Sequence, residues 1–175
     1  MADELRTTDR TLRRAVREGL VRAERPSPRK LDIALAERVY LRRAWPFLAR
    51  LRGVLRTEPG ISLAVLFGSR ARGDEHPNSD VDLLVRLRDG ADRWSLASRV
   101  SDRVGLRVQL VSLEDAEDAP LLLAEVLREG RVIVDRDGGW GALLQRRTAV
   151  ERAAARERRR IDAEFASLFG DEQER

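Results

Sequence analysis

Hydrophobic positions recur with two periods along this chain, and the changes of period divide it into three segments. Residues 1–57 and 139–175 place apolar residues three or four positions apart, which predicts amphipathic helices. Residues 58–138 alternate short apolar runs, typical of strands, with longer amphipathic stretches. We therefore expect a mixed α/β (α+β) domain over residues 58–138, with a helical extension on each side.

The first segment is predicted to begin with a helix and a hairpin. The helix covers residues 8–18, and Gly19 stands where a left-handed C-terminal cap is expected. Prolines forbid a central strand or a continued helix in the turn that follows. The predicted hairpin has short strands at residues 20–23 and 30–33, joined by that turn at residues 25–28.

The middle segment is predicted to form a small mixed sheet with helices between its strands. Residues 92–104 and 114–129 have helical periodicity, the second stretch with Pro120 near its first turn and Gly130 at its end. The apolar runs of strand length are residues 61–67, 81–87, 106–113 and 131–135.

Two longer helices are predicted on either side of this sheet. Residues 34–56 have helical spacing, but Pro46 removes a backbone donor, so we expect either a kink or two helices. Residues 139–169 predict one long helix with an Arg-rich outer face. Its inner stripe would consist of Trp140, Leu143, Leu144, Val150, Ala154, Ile161 and Phe165.

The amino-acid composition removes several classes of site. The 175 residues include no Cys and a single His, which excludes thiolate zinc sites, disulfides and His-rich metal centres. Catalysis would have to rest on carboxylates, hydroxyls, Arg and metal ions. The three tryptophans are expected to serve packing. No apolar stretch approaches the ~18 residues of a membrane span and the start lacks the form of a signal peptide, so we expect a cytoplasmic protein without a membrane partner.

Charge is unevenly distributed along the chain. The net charge of +4 combines +7 over residues 1–58, −4 over 59–138 and +1 over 139–175. The predicted helix and hairpin resemble the recognition helix and wing of a winged helix-turn-helix, although few residues precede the helix. Two roles are open for the basic residues 1–57: DNA binding with a steep salt dependence, or a helical extension that packs on the domain or on a partner.

A polar stretch between two predicted strands carries the candidate chemistry. The first strand ends at Gly68 and Ser69, where the backbone can approach a ligand and a short helix can offer free amides to a phosphate. Asp80 and Asp82 follow at alternate positions of the next strand, so both carboxylates project from one face. A divalent ion such as Mg²⁺ would relieve their repulsion. The stretch predicts metal-assisted chemistry on a nucleoside triphosphate.

These residues resemble the GS…DxD signature of the DNA polymerase beta-type nucleotidyltransferases. The tight form GSRARG…SDVDLLV resembles the bacterial minimal nucleotidyltransferase branch, and the likeness covers about residues 59–138, with 130–134 as the closing strand. It implies that Gly68 and Ser69 bind the β- and γ-phosphates and that Asp80 and Asp82 hold a pair of Mg²⁺ or Mn²⁺ ions.

The resemblance also implies a reaction and a partner. A nucleoside monophosphate, for example from ATP, would pass to a hydroxyl of a protein or small molecule while pyrophosphate leaves. Relatives of this branch are often encoded beside a HEPN-domain toxin, which some modify by attaching nucleotides to a tyrosine. Arg70 and Arg72 directly follow the turn, where they would either contact the triphosphate or remain solvated.

One position departs from the family pattern. A third carboxylate normally comes from a neighbouring strand, and alignment of residues 106–111 puts Gln109 there. A Gln amide carries no charge and cannot take a proton, so binding is expected to survive better than catalysis. Four other acidic residues could substitute: Asp74, Glu75, Glu114 and Asp115. Two functions remain open, a nucleotidyltransferase and an antitoxin or regulator that keeps the fold with little catalysis.

Overall fold

Four strands form one mixed sheet in the part of the chain that the computed structural model describes, residues 1–24 and 31–169. They are β1 (Ile61–Phe67), β2 (Val81–Leu87), β3 (Val108–Ser112) and β4 (Arg131–Asp135), in the order β3-β2-β1-β4. β1 pairs antiparallel with β2 and with β4, whereas β2 and β3 are parallel. The mixed α/β class predicted from the sequence is confirmed.

Helices cover both faces of the sheet. In chain order they are α1 (Asp9–Arg17), α2 (Leu35–Arg56), α3 (Ser69–Arg72), α4 (Arg93–Val104), α5 (Leu113–Glu117), α6 (Pro120–Glu129), α7 (Gly139–Gln145) and α8 (Arg147–Phe169). All seven residues of β1 are buried. Alternate side chains of β1 pack against α1, α2 and α4 on one face and against α5 to α8 on the other, as expected for an internal strand.

The prediction of a single helix over residues 114–129 is wrong, because the helix is interrupted before Pro120. Ser112 ends β3 and caps α5 by accepting a hydrogen bond from Asp115 N at 3.0 Å. Ala119 then adopts φ −120°, because the residue before a proline is disfavoured in the helical region, and Pro120 starts α6.

The single helix predicted over residues 139–169 is also wrong, since α7 ends at Gln145 and α8 begins at Arg147. The break lets Leu143 pack against the sheet while Val150 and Ala154 lie buried in the region where α8 contacts α6. The end of the predicted stripe is exposed, with Phe165 61% accessible. α2, in contrast, continues across Pro46, so the two-helix alternative is wrong there.

The N-terminal segment packs on the sheet. Thr8 caps α1, and Gly19 follows it with φ +81°, as predicted. Leu12 and Ala15 belong to the same core as β1, which agrees with the packing role proposed for this extension. The predicted hairpin is represented by one antiparallel bridge between Glu24 and Asp32, and its turn lies outside the described residues. The division into three domains remains a prediction.

The structure bears on two further expectations, the absence of a membrane span and the packing of the tryptophans. No helix in the described part of the chain is both long and apolar enough to cross a membrane. The packing role predicted for the tryptophans is wrong for Trp94, whose side chain is 76% exposed at the start of α4.

A buried ion pair connects β4 with the elements around it. Arg131 is 1% exposed, and its guanidinium donates to both carboxylate oxygens of Glu37 in α2, at 2.6 and 2.9 Å. It also donates to the carbonyls of Ala71, at 2.8 Å, and Leu20, at 3.3 Å. The ring of Tyr40 lies 3.7 Å from the guanidinium carbon, at cation–π distance. One side chain therefore holds α2, α3 and the segment after α1 together.

Arg131→Met is expected to lower the free energy of unfolding by about 3–5 kcal/mol, because it leaves the Glu37 carboxylate buried without its partner. Adding Glu37→Gln removes that charge and keeps an acceptor for Arg22 N, so the double variant should be more stable than Arg131→Met alone. Urea denaturation of the native chain, Arg131→Met, Glu37→Gln and the double variant measures both effects. Additive losses from the two substitutions would contradict the pairing.

Candidate active site

The turn after β1 requires glycine for two independent reasons. Gly68 has φ +70° and ψ −157°, a region open almost only to glycine. A Cβ atom at this position would also lie 2.6 Å from Asp82 Oδ2. The turn and the carboxylate are therefore in close contact, as the motif predicted.

The short helix α3 is fixed to its surroundings by side chains that donate hydrogen bonds to its backbone carbonyls. Gly68 O accepts from Ala71 N at 3.0 Å, and Gly73, with φ +91°, ends the helix. Tyr40 donates its hydroxyl proton to Arg70 O at 2.9 Å, while Arg131 holds Ala71 O. Burial raises the pKa of Tyr40 to about 12, so the phenol remains a donor at neutral pH. Ser69 begins this helix, as predicted.

The two aspartates lie beside the turn, with Asp80 immediately before β2 and Asp82 as the second residue of that strand. Asp82 pairs in register with Phe67 of β1 on one side and with Gln109 of β3 on the other. Burial and the neighbouring charge of Asp80 raise the pKa of Asp82, while Arg72 and Arg70 oppose that shift. A cation between the two carboxylates would favour their ionised forms, and carboxylate oxygens suit a hard divalent ion.

Gln109, for which the resemblance implies a carboxylate, pairs in register with Asp82 and lies beside Asp80. Its amide nitrogen donates to Asp80 Oδ2 at 2.5 Å, and Arg107 Nε lies 3.7 Å from the same oxygen. The amide therefore orients Asp80 without adding a charge.

None of the predicted substitutes completes a third carboxylate position. Asp74 pairs with Arg72 at 3.1 Å. Asp115 pairs with Arg93 at 2.5 Å, beyond the far end of β3, with Glu114 beside it in α5. Over residues 1–24 and 31–169, no three His, Cys, Asp or Glu side chains lie close enough together to hold a metal ion, so Glu75 does not complete such a group either. The donor set fits one divalent ion better than two.

Both arginines after the turn are engaged with the protein. Arg70 Nη2 donates to Ser79 O at 2.8 Å and its Nε to Asp80 O at 3.2 Å, while Phe47 lies below the guanidinium. Arg70 thus ties α3 to the loop that carries Asp80. A contact between either arginine and a triphosphate remains a prediction.

Arg72 points to the other side of α3, toward α6. It bonds Glu129 at 2.6 Å and Glu125 at 3.0 Å, and its hydrogen bonds to Asp74 and Glu129 raise its pKa. The opposing helix is thereby tied to the turn.

The residues that support this site were not predicted from the sequence. Tyr40, Glu37 and Arg131 lie far apart along the chain, and each reads as an ordinary helix or strand residue. The one available signal was Arg131, a charged residue at the start of an apolar strand, next to a glycine.

Comparison with known families agrees with the motif. The family model described as polymerase beta, nucleotidyltransferase matches residues 50–138, half of the chain. Protein adenylyltransferase MntA of Shewanella oneidensis is 36% identical over 86 residues, which are 47% of this chain and 56% of that protein. The chain thus spans little more than half the length of this curated relative.

Solved structures show the same fold. A crystal structure of a toxin-antitoxin with AMP-PNP contains a chain that is 26% identical, with a TM-score of 0.55, over 67% of this chain and 97% of that chain. A tri-AMPylated Shewanella oneidensis HEPN toxin in complex with MNT antitoxin matches at 22% identity and a TM-score of 0.52, over 69% of this chain and 97% of that chain. The latter likeness concerns the fold alone.

Gly68→Ala is expected to destabilise the protein by about 1–3 kcal/mol and to displace the Asp82 carboxylate. The added Cβ is disfavoured at the backbone angles of residue 68 and clashes with Asp82 Oδ2. Gly53→Ala is the matched control, since nothing lies within 4 Å of a Cβ at this position inside α2. It should stabilise by roughly 0.5–1 kcal/mol. Thermal unfolding measures both changes, and equal effects of the two substitutions would contradict the close contact.

Proposed function

Because the chain belongs to the polymerase beta nucleotidyltransferase family, we propose that it binds a nucleoside triphosphate with a divalent metal ion and transfers the nucleoside monophosphate to a hydroxyl of another protein. The observation that carries this proposal is the 2.6 Å clearance between a Cβ at Gly68 and Asp82 Oδ2. A phosphate in the glycine turn and a cation on the aspartates would be neighbours there.

Each residue has a defined task in this proposal. Gly68 and Ser69 bind the β- and γ-phosphates, while Asp80 and Asp82 hold Mg²⁺ or Mn²⁺. An ion held there would neutralise charge on the phosphates and on the pyrophosphate. Arg70 positions Asp80 through its backbone carbonyl, and Gln109 positions the carboxylate of the same residue.

The transfer is a balanced displacement at the α-phosphorus. The acceptor oxygen forms a bond with that phosphorus, and the bond from phosphorus to the bridging oxygen of the β-phosphate breaks. Pyrophosphate leaves with that oxygen, and the acceptor proton passes to water. The Gln109 amide cannot accept this proton, so the transfer is slow compared with a site that carries a base there.

The relatives support ATP as the donor and a protein as the acceptor. The curated relative is a protein adenylyltransferase, and one similar structure holds AMP-PNP. The partner in our proposal is a HEPN-type toxin, modified on a hydroxyl such as that of tyrosine. A second function, binding such a toxin as an antitoxin or regulator with little transfer, is favoured by the missing carboxylate at Gln109.

Replacing both aspartates, Asp80→Asn with Asp82→Asn, is expected to weaken ATP binding in Mg²⁺ at least tenfold, because the cation loses both carboxylates. In EDTA the same variant should bind ATP at least as well as the native chain, since the repulsion is gone. Asp89→Asn with Asp102→Asn makes the same change in charge at exposed positions. Isothermal titration compares the three proteins. Equal affinity in Mg²⁺ for all three would refute the proposed site.

Gln109→Asp is expected to accelerate transfer at least ~10-fold, because a general base typically contributes ~10²–10⁴-fold. It should also raise the number of Mn²⁺ ions bound per chain with AMP-PNP from one to two, measured by electron paramagnetic resonance. Gln109→Asn shortens the side chain equally without adding charge. Transfer is followed as labelling of a co-expressed HEPN partner. Labelling by the native chain as fast as by Gln109→Asp would show that the native site is not impaired.

A further inference from the structure

A groove runs along the outer edge of β4, away from the aspartates. It has a volume of about 860 Å³ and lies between the end of α1, the second half of α2 and the start of α7. Val132 to Arg136 form its floor. Asp135, at the end of β4, pairs with Leu63, whereas Gly68 follows the opposite end of β1. The groove is therefore separate from the nucleotide site.

Arginines dominate the walls of this groove. Arg17 of α1, Arg52 and Arg56 of α2, and Arg136 after β4 all line it. Arg10, Arg13 and Arg14 continue the basic surface from Arg17 along the exposed face of α1. We call these seven residues and the floor between them the arginine groove.

The carboxylates in the arginine groove are fewer and already bonded. Glu18 pairs with Arg52 and lies 3.8 Å from Arg56. Asp135 accepts from Gly139 N at 2.9 Å and from Trp140 N at 3.2 Å. The remaining one, Asp9, bonds Arg13 at 2.6 Å. The groove therefore keeps an excess of positive charge.

Some of these arginines have no acidic partner in the part of the chain that the structure describes. Within the described residues, no carboxylate forms an ion pair with Arg10, Arg14 or Arg17. Like charges that the fold holds together in this way attract a polyanion.

The apolar parts of the groove indicate which polyanion fits. The half-buried indole of Trp140 lines one wall, with Leu144 beside it and Val134 on the floor. A volume of about 860 Å³ falls within the ~300–1,000 Å³ of sites that enclose a small organic group, so a base and its sugar fit. Grooves that bind single strands combine basic side chains along the backbone with an aromatic surface for a base.

We propose that the arginine groove binds single-stranded nucleic acid, with its phosphodiester backbone along Arg10, Arg14, Arg17 and Arg56 and a base against Trp140. This binding is independent of the nucleotide transfer proposed above. It uses residues of α7 and of the loop after β4 as well as the basic N-terminal segment.

The test uses the full chain and a fluorescein-labelled 20-nucleotide oligothymidylate in an anisotropy titration. Arg10→Gln with Arg14→Gln and Arg17→Gln should weaken binding at least tenfold at low salt. Each lost phosphate contact should reduce the slope of log K against log salt by about 0.7, or about 2 for three contacts. Gln has a helix propensity close to that of Arg, so α1 should persist.

The matched control is Arg152→Gln with Arg156→Gln and Arg159→Gln. These residues are exposed on α8 with the same spacing, and the change in net charge is identical. The control should bind as the native chain does. Equal losses in both triple variants would reduce the effect to net charge and overturn the site. Absence of binding by the native chain at low salt would overturn it too.

Three more measurements test the proposal. Trp140→Leu should weaken binding of the oligonucleotide and leave the salt slope unchanged, because it removes stacking and no charge. A blunt 20-base-pair duplex should bind more weakly than the single strand, and tighter binding of the duplex would refute the assignment to single strands. The α1 triple variant should bind ATP with the same affinity as the native chain. This control distinguishes loss of oligonucleotide binding from failure of the nucleotide site.

Discussion

The buried pair between Arg131 and Glu37 is the interaction on which the candidate active site depends. An ion pair inside a protein is stable only when further hydrogen bonds compensate for the lost hydration. Here the guanidinium obtains them from the carbonyls of Leu20 and Ala71, and the ring of Tyr40 covers it. The requirement to satisfy one charge therefore fixes α3, and with it the turn at Gly68, relative to the sheet.

The candidate active site is organised by side chains other than the two aspartates. Arg70 holds the backbone of Asp80, and the amide of Gln109 holds its carboxylate. Among the described residues, Asp82 has no comparable side-chain donor, and it lies directly against the glycine turn. Asp80 is thus held in place by the protein itself, and the contact from Gln109 is a neutral hydrogen bond where the resemblance implies a charged carboxylate.

The sequence predicted the parts of this structure that depend on local pattern. β1, β2, β4 and α1 follow from apolar periodicity and capping residues, and the motif from Gly68 to Asp82 lies as its spacing implied. The breaks near Pro120 and Arg146 were missed, because both flanking stretches share one helical period. The supporting roles of Arg70 and Arg131 could not be predicted from the sequence. Their partners are backbone carbonyls, aromatic rings and, for Arg131, a carboxylate, and only tertiary packing brings these groups close to the two arginines.

Tyr40 is the sole tyrosine of the chain and is 6% exposed, with its hydroxyl bonded to Arg70 O. Its raised pKa also makes the phenolate scarce at neutral pH. If this chain transfers nucleotides to tyrosine, the burial of Tyr40 therefore protects the folded chain from labelling itself. Any tyrosine-linked nucleotide found in such a reaction would have to belong to a second protein, so self-modification need not be subtracted from the measurement.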